Sequence, residues 1–316
     1  KIIGHNNIFL DSNTWSWFDV ELEKNHILLN GVTNRGNIKY LLDSQYNNAQ
    51  KSKIEDILPR HTTGFYSYQI KNISDLNAVI NSVSEGVHEN IYHLTNIWHP
   101  TEINISYNHN DKKTKSYIVC KAKSKNKAIS FLKNENRNSI TQYLDYSIIE
   151  LNTNNYLKNN WLHKLITDWD KLYYIYMEDY IIFSDSVKKI KSLINNMISA
   201  QTIGKNKSIQ TINNQLGNKS HTSFYLDFNN HTEKWKSIFN SIVSKNIASN
   251  EYFFNSIILL HENKDFQNPT EWTTDMNTGT NYKPQLVINH YTKEFEVLCQ
   301  DMNNQIYLLN KKGDII

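Results

Sequence analysis

The run Phe295-Glu296-Val297-Leu298-Cys299-Gln300, the tetrad Asp301-Met302-Asn303-Asn304 and the run Gln305-Ile306-Tyr307-Leu308-Leu309 decide how the C-terminal part of this chain is read. Both runs are rich in apolar, β-forming residues. Asn and Asp accept left-handed backbone geometry and hydrogen-bond their own backbone, so the tetrad predicts a hairpin turn. Upstream, Pro284 precedes a third such run at 285–289, with Tyr291-Thr292-Lys293 at the corner. Downstream, Lys311-Lys312-Gly313-Asp314 has turn chemistry, and the β-branched pair Ile315-Ile316 is suited to open a fourth strand. A meander of this kind is the unit of a four-stranded propeller blade, so 270–316 is expected to be a first, incomplete β-propeller-like blade. Ending there would leave 305–309 as an edge without a charge or proline to guard it, which predicts that the encoded protein continues past Ile316.

Residues 1–265 read differently, as an α+β module with an antiparallel sheet and helices packed on it. In 14–22, Trp15, Trp17, Asp19 and Glu21 share one parity and Phe18, Val20 and Leu22 the other. Glu23-Lys24-Asn25 turns the chain into His26-Ile27-Leu28-Leu29-Asn30-Gly31-Val32, completing a half-buried antiparallel pair. Ile57-Leu58-Pro59 leads into a strand over 64–70. Ser74 and Asp75 open a helix carrying Leu76, Val79, Ile80 and Val83 at helical spacing, and a second helix over 88–98 stops before Pro100. Strands follow at 102–107 and 115–122, then a helix at 125–133 and, after a loop, a strand at 145–151. Runs at 172–177 and 180–183 form a hairpin across Glu178-Asp179. Ser184-Asp185-Ser186 then caps a helix whose stripe is Val187, Ile190, Leu193, Ile194, Met197 and Ile198. A short helix over 208–216, a strand at 222–228, an amphipathic helix over 231–243 (Trp235, Ile238, Phe239 and Ile242 inward), a strand at 252–260 and a linker at 266–269 complete the module. Strand pairs alternating with helices indicate an antiparallel α+β sheet, with helices 185–198 and 231–243 on it, rather than a doubly wound parallel one.

The chain has 316 residues and a formal net charge of +3. It is long enough to bury a substantial core. Its scattered Lys and Arg exclude the basic footprint of a nucleic-acid-binding surface. No run approaches the roughly 18 apolar residues of a membrane-spanning helix, and no apolar leader follows Lys1. Cys120 and Cys299 each sit within a strand-like run and in no C-x-x-C pair. They are expected to be buried free thiols that are not bonded to each other.

The candidate chemistries dissolve one by one. Twelve histidines invite a metal, but His88-Glu89 and His93 are spaced by five, where a zinc helix needs four to bring both rings to one face. Ser186-Val187-Lys188-Lys189 has the S-x-x-K spacing, yet lacks its S-D-N and K-T-G partners, and Ser186 already serves as a helix cap. Glu178-Asp179 sits at a turn, where solvated carboxylates are ordinary. The nine glycines form neither phosphate-cradling motif. Trp161, Trp169, Tyr173, Tyr174 and Tyr176 offer a sugar platform or a protein-binding patch, but core packing explains most of them better. No catalytic, cofactor-binding or metal-ligating set emerges, and no cofactor is implied.

Four stretches carry a resemblance: Trp17-Phe18-Asp19-Val20 through Ile27-Leu28-Leu29-Asn30-Gly31-Val32, Ile57-Leu58-Pro59-Arg60-His61-Thr62, Tyr180-Ile181-Ile182-Phe183-Ser184-Asp185-Ser186, and Lys283-Pro284-Gln285 through Gly313. They resemble segments of uncharacterised cell-envelope proteins of Bacteroidota, in which an α+β module of unknown function precedes a quinoprotein-like β-propeller. The resemblance implies a periplasmic or outer-membrane-associated protein, a possible lipoprotein, with further α+β structure before Lys1. It transfers no functional residue. The expectation is a non-enzymatic envelope protein that binds or scaffolds partner proteins, with other envelope proteins as partners and no nucleic acid or transmembrane segment. The alternative is an enzyme or glycan-binding protein whose site lies in the remainder of the propeller.

Overall fold

The structure is a computed structural model. It describes residues 15–34, 49–83, 98–108, 115–134, 137–151, 161–166, 169–228, 238–249, 252–261, 272–274, 276, 278–280 and 282–316. The chain divides into two compact units, Lys1–Met197 with Gln201–Glu262, and Asn263–Ile316 with Ile198–Ala200. The helix expected over 88–98, apart from Trp98, and the linker at 266–269 lie outside the described residues.

The larger unit runs β1 (Ser16–Leu22), β2 (His26–Asn34), α1 (Ile54–Ile57), β3 (Gly64–Gln69), α2 (Ile73–Val83), β4 (Pro100–Tyr107), β5 (Lys115–Ala122), α3 (Lys125–Asn134), β6 (Arg137–Tyr143), β7 (Tyr146–Leu151), α4 (Trp161–Leu165), β8 (Leu172–Met177), β9 (Tyr180–Ser184) and α5 (Val187–Ile198). A 3-10 turn (Ile203–Lys205), α6 (Lys207–Gln215), β10 (Thr222–Asp227), β11 (Ser241–Ala248) and β12 (Tyr252–Leu260) follow. The strands form one 12-stranded sheet in the order β1-β2-β12-β11-β10-β3-β4-β5-β9-β8-β7-β6. Every neighbouring pair is antiparallel.

Helices cover both faces of the middle of this sheet, because β5, β8 and β9 carry apolar residues on both parities. On one face Ile103 and Ile105 (β4), Ile118 and Cys120 (β5) and Tyr174 (β8) pack with Leu76, Val79 and Ile80 of α2, Ala128 and Leu132 of α3, and Trp161 and Leu165 of α4. On the other, Phe65, Tyr117, Val119, Ile175 and Ile182 meet Ile54 and Ile57 of α1, the α5 stripe Ile190, Leu193 and Ile194, and Ile209 and Ile212 of α6. Each fully buried Leu, Ile or Phe is worth about 1.5–3 kcal/mol relative to exposure, so this double cover dominates the unit's stability. Two buried aromatic tips find partners: Tyr117 OH donates to the Lys189 carbonyl at 2.9 Å, and Trp169 Nε1 to the Lys115 carbonyl at 3.1 Å. The 3-10 turn lies so close to α1 that a Cβ on Gly204 would stand 2.7 Å from Asp56 Oδ1.

Three expectations need correction. The helix over 231–243 does not extend through its described part: Ile238 lies in a turn, and Ser241, Ile242 and Val243 begin β11. β10 and β12 pair along its two sides, and the β-branched residues Ile242, Val243 and Ile247 suit that slot better than a helix. β6, read as loop, is the far edge strand, held by β7 through Ser139 Oγ to Glu150 Oε2 at 2.8 Å and Gln142 Nε2 to Ser147 Oγ at 2.9 Å. The pair at 14–33 forms as expected but is not half-buried on β1, where Phe18 alone is partly covered.

In the smaller unit β13 (Gln285–Ile288), β14 (Phe295–Gln300) and β15 (Ile306–Leu309) make a three-stranded antiparallel meander. Asp301 is buried and organises the predicted turn: its Oδ1 accepts from the Asn303 and Gln305 N–H groups at 2.8 Å, and its Oδ2 from Tyr307 OH at 3.1 Å. Burial works to raise the Asp301 carboxyl, and the hydrogen bonds from Gln305, Tyr307 and Asn303 outweigh it, leaving the group below its ordinary value. Gly313, at φ +86°, turns the chain beneath the Trp272 ring, which a Cβ there would strike. Beyond it Ile315 bridges to Leu309, and Ile316 N–H donates to the Leu308 carbonyl at 2.9 Å, so the chain begins to pair back on β15.

Candidate interaction surface

Toward the β1 end of the sheet, β1, β12 and β11 carry exposed apolar side chains beside the half-buried ones of β2. The register sets them in rows. Trp17 lies opposite Val32, Val32 opposite Phe254, and Phe254 opposite Ile247. Trp17 is 63% exposed, Phe254 50% and Ile247 40%. At the same end Trp15 and Tyr252 pack with ring centroids 6.1 Å apart. On the opposite face Val20 and Leu22 are exposed beside the half-buried Leu29, Ile27, Ile257 and Leu259. A soluble domain rarely leaves so much contiguous aromatic and aliphatic surface uncovered without a use for it.

Buried polar contacts hold this end in place. Thr33 Oγ1 shares a hydrogen bond with Ser16 Oγ at 2.8 Å and accepts from Asn255 Nδ2 at 2.7 Å, tying β1, β2 and β12 together. Gly31 lets β1 approach, since a Cβ there would collide with the Trp17 carbonyl and the Phe18 ring. Asp19 and Glu21 share the Trp17 face, as alternation requires. On that face Lys245 of β11 lies near Glu55 of α1. Burial lowers the lysine and raises the carboxyl, and each charge partly counters that shift in the other.

The residues singled out by motif do not assemble into a reactive site. Ser186 Oγ accepts from the Lys188 N–H at 3.2 Å as a cap, and Lys189 Nζ pairs with Asp185 at 2.9 Å instead of serving the serine. Glu178 is an exposed turn residue at φ 49°, 3.2 Å from Lys53 Nζ. His88, Glu89 and His93 lie outside the described residues. Trp161, Trp169 and Tyr174 are buried, while Tyr173 and Tyr176 are half-buried. Cys120 and Cys299 are buried free thiols, and burial, with Glu102 adding to it, pushes Cys120 well above the ordinary range, an inert setting.

One polar cluster escaped the sequence reading. Glu102 is buried and accepts from Ser52 Oγ, from Asn104 Nδ2 at 3.0 Å and from Tyr180 OH at 3.4 Å. Burial first, and then the Glu102 charge, raises the Tyr180 phenol. The carboxyl of this buried glutamate is satisfied by its three donors. Strand alternation alone would send Glu102, Asn104 and Ser106 to water; they are buried instead, with Asn104 and Ser106 donating to the Val119 and Tyr117 carbonyls of β5 at 3.1 and 3.3 Å. Among the described residues no group of three His, Cys, Asp or Glu could hold a metal, and no helix is long and apolar enough to cross a membrane.

The fold and surface therefore define a large open antiparallel sheet with helices on both faces of its middle and, among the described residues, exposed apolar side chains toward its β1 end. No family model matches the chain, and neither a curated protein nor a solved structure matches it.

Proposed function

We propose that this chain is a non-enzymatic protein-binding module of a bacterial cell envelope, a scaffold for other envelope proteins in the periplasm or at the outer membrane. The row of exposed Trp17, Phe254 and Ile247, with half-buried Val32 between them, supports the binding part of the reading. Aromatic residues on a flat sheet face offer large contact area at low entropic cost, which is how protein interfaces concentrate their energy. The envelope setting, a lipoprotein anchor and a propeller that begins at 270–316 rest on the resemblance to Bacteroidota envelope proteins.

Affinity capture from native membranes, read by mass spectrometry, tests it. Trp17→Ser combined with Phe254→Ser should lose the partners held by the wild-type chain, while far-UV circular dichroism stays unchanged, because exposed substitutions rarely move stability by more than about 0.5 kcal/mol. An identical partner set in both samples defeats the proposal, as does the absence of envelope proteins from the wild-type capture.

A further inference from the structure

We infer that β1 is a docking edge for an extended segment of a partner protein carrying Lys or Arg at alternate positions, which joins the sheet as an additional strand; the inference rests on the protein-binding reading and gives its partner a chemistry. Asn34 N–H donates to the Trp15 carbonyl at 2.9 Å, and Glu23 N–H to the His26 carbonyl at 2.9 Å. With the observed register, the odd-numbered residues of β1 therefore exchange backbone bonds with β2. Ser16, Phe18, Val20 and Leu22 aim their N–H and C=O groups away from β2, and among the described residues no strand receives them. The opposite edge, β6, carries polar residues such as Ser139, Thr141 and Gln142; β1 has no comparable backbone guard in Pro or Lys.

The side chains set what fits. A strand beside β1 places one set of residues along Phe18, Val20 and Leu22, where β-branched or aromatic partners pack, and the alternate set along Asp19 and Glu21. Among the described residues neither acid has a cation within ion-pair distance, the pairs being Lys53–Glu178, Lys171–Glu150, Lys189–Asp185 and Lys311–Glu294. Two uncompensated carboxylates on one parity of an open edge call for basic residues two apart. A second copy fits worse. In two-fold antiparallel self-pairing the registers centred on Asp19 and Val20 set Asp19 against Asp19 or against Glu21, where like charges repel.

The test uses three short fluorescent peptides on the whole chain, read by anisotropy and by Trp emission: alternating Lys and Val, the same composition with the lysines in one block, and alternating Glu and Val. The alternating Lys peptide should bind the wild type best. Val20→Pro removes only an outward N–H and leaves the β1–β2 bonds in place, so it should keep the fold and lose binding. Asp19→Lys with Glu21→Lys should weaken the Lys peptide by about tenfold or more and transfer preference to the Glu peptide. Equal binding of the blocked peptide, unchanged affinity in both variants, or no binding to the wild type overturns the inference. So does a wild-type dimer in sedimentation that Val20→Pro dissolves, which would make the occupant a second copy. If the β1 variants retain membrane partners that Trp17→Ser with Phe254→Ser loses, strand addition falls and the protein-binding reading stands. If neither set of variants changes the capture, both fall.

Discussion

At the scale of single residues, this chain uses polar atoms to fix positions that glycine or apolar packing would otherwise hold. With nine glycines in the sequence, several turns are taken by Leu144, Glu178, Lys293 and Asn304 at left-handed φ. Asp301 builds its turn from carboxylate oxygens. His221 does the same inside the sheet: it is buried, and its Nδ1 accepts the Ala248 N–H at 3.1 Å, which requires that nitrogen to be unprotonated. Burial holds the His221 imidazole below its ordinary value. A histidine whose folded pKa is depressed contributes stability that is complete above its unfolded value, about 6.5, and is lost as pH falls from there through the folded value. Urea unfolding at pH 7.5 and pH 5.5 should show a weaker wild type at the lower pH. Because burial lowers His61 in the same direction, His221→Gln should flatten this slope without abolishing it. A slope identical in wild type and variant would show that His221 does not carry the effect.

At the scale of elements, β1 makes the most exposed claim, and its backbone can be read directly. Trp17, Asp19 and Glu21 point their amides at β2, whereas Ser16, Phe18, Val20 and Leu22 point theirs at the open edge. Hydrogen exchange followed by NMR should alternate along the strand, the odd positions protected and the even ones near the free rate. Protection of the even amides in the isolated chain would mean that the edge is already occupied. Elements with local signals were legible in the sequence. The hairpin at 14–33, the α5 stripe and the meander from 285 to 309 all pair or pack within a short stretch, where alternation, turn chemistry and helical spacing speak for themselves. β11 was not legible, because Ile238, Phe239 and Ile242 also fit a helical spacing, and the two strands that flank it in the chain also flank it in the sheet without marking the stretch between them. The candidate surface was half legible. The parity of Trp15, Trp17, Asp19 and Glu21 was visible, but β12 is apolar on both parities, so nothing local marked Phe254 as exposed and Phe253 as buried.

At the scale of the molecule, the sheet order sets the sequence in which structure can form. β3, β4 and β5 are neighbours both in the chain and in the sheet, and the helices α2 and α3 flank them locally. The β1–β2 hairpin is different. Its inner strand pairs with β12, joining His26 to Leu260, so it cannot dock until almost the whole unit is in hand. Loop-closure entropy must be met before so distant a contact is rewarded, which favours a nucleus at the centre and a late arrival of the β1–β2–β12 end. Ile105 in β4 and Ile258 in β12 are both fully buried, so Ile→Ala at either should cost about 2–5 kcal/mol at equilibrium. The cost should be distributed differently in time. Ile105→Ala should chiefly slow refolding, and Ile258→Ala should chiefly speed unfolding while leaving the main refolding phase close to that of the wild type. Stopped-flow denaturant series on both variants decide between this order and its reverse; Ile258→Ala slowing refolding as much as Ile105→Ala would place the late end of the sheet in the nucleus. The order expected here has a functional counterpart. The end of the sheet that joins last finishes in β1, whose outer edge no strand covers among the described residues, and an edge assembled last presents its open backbone on a centre already folded, which is the condition strand addition by a partner requires.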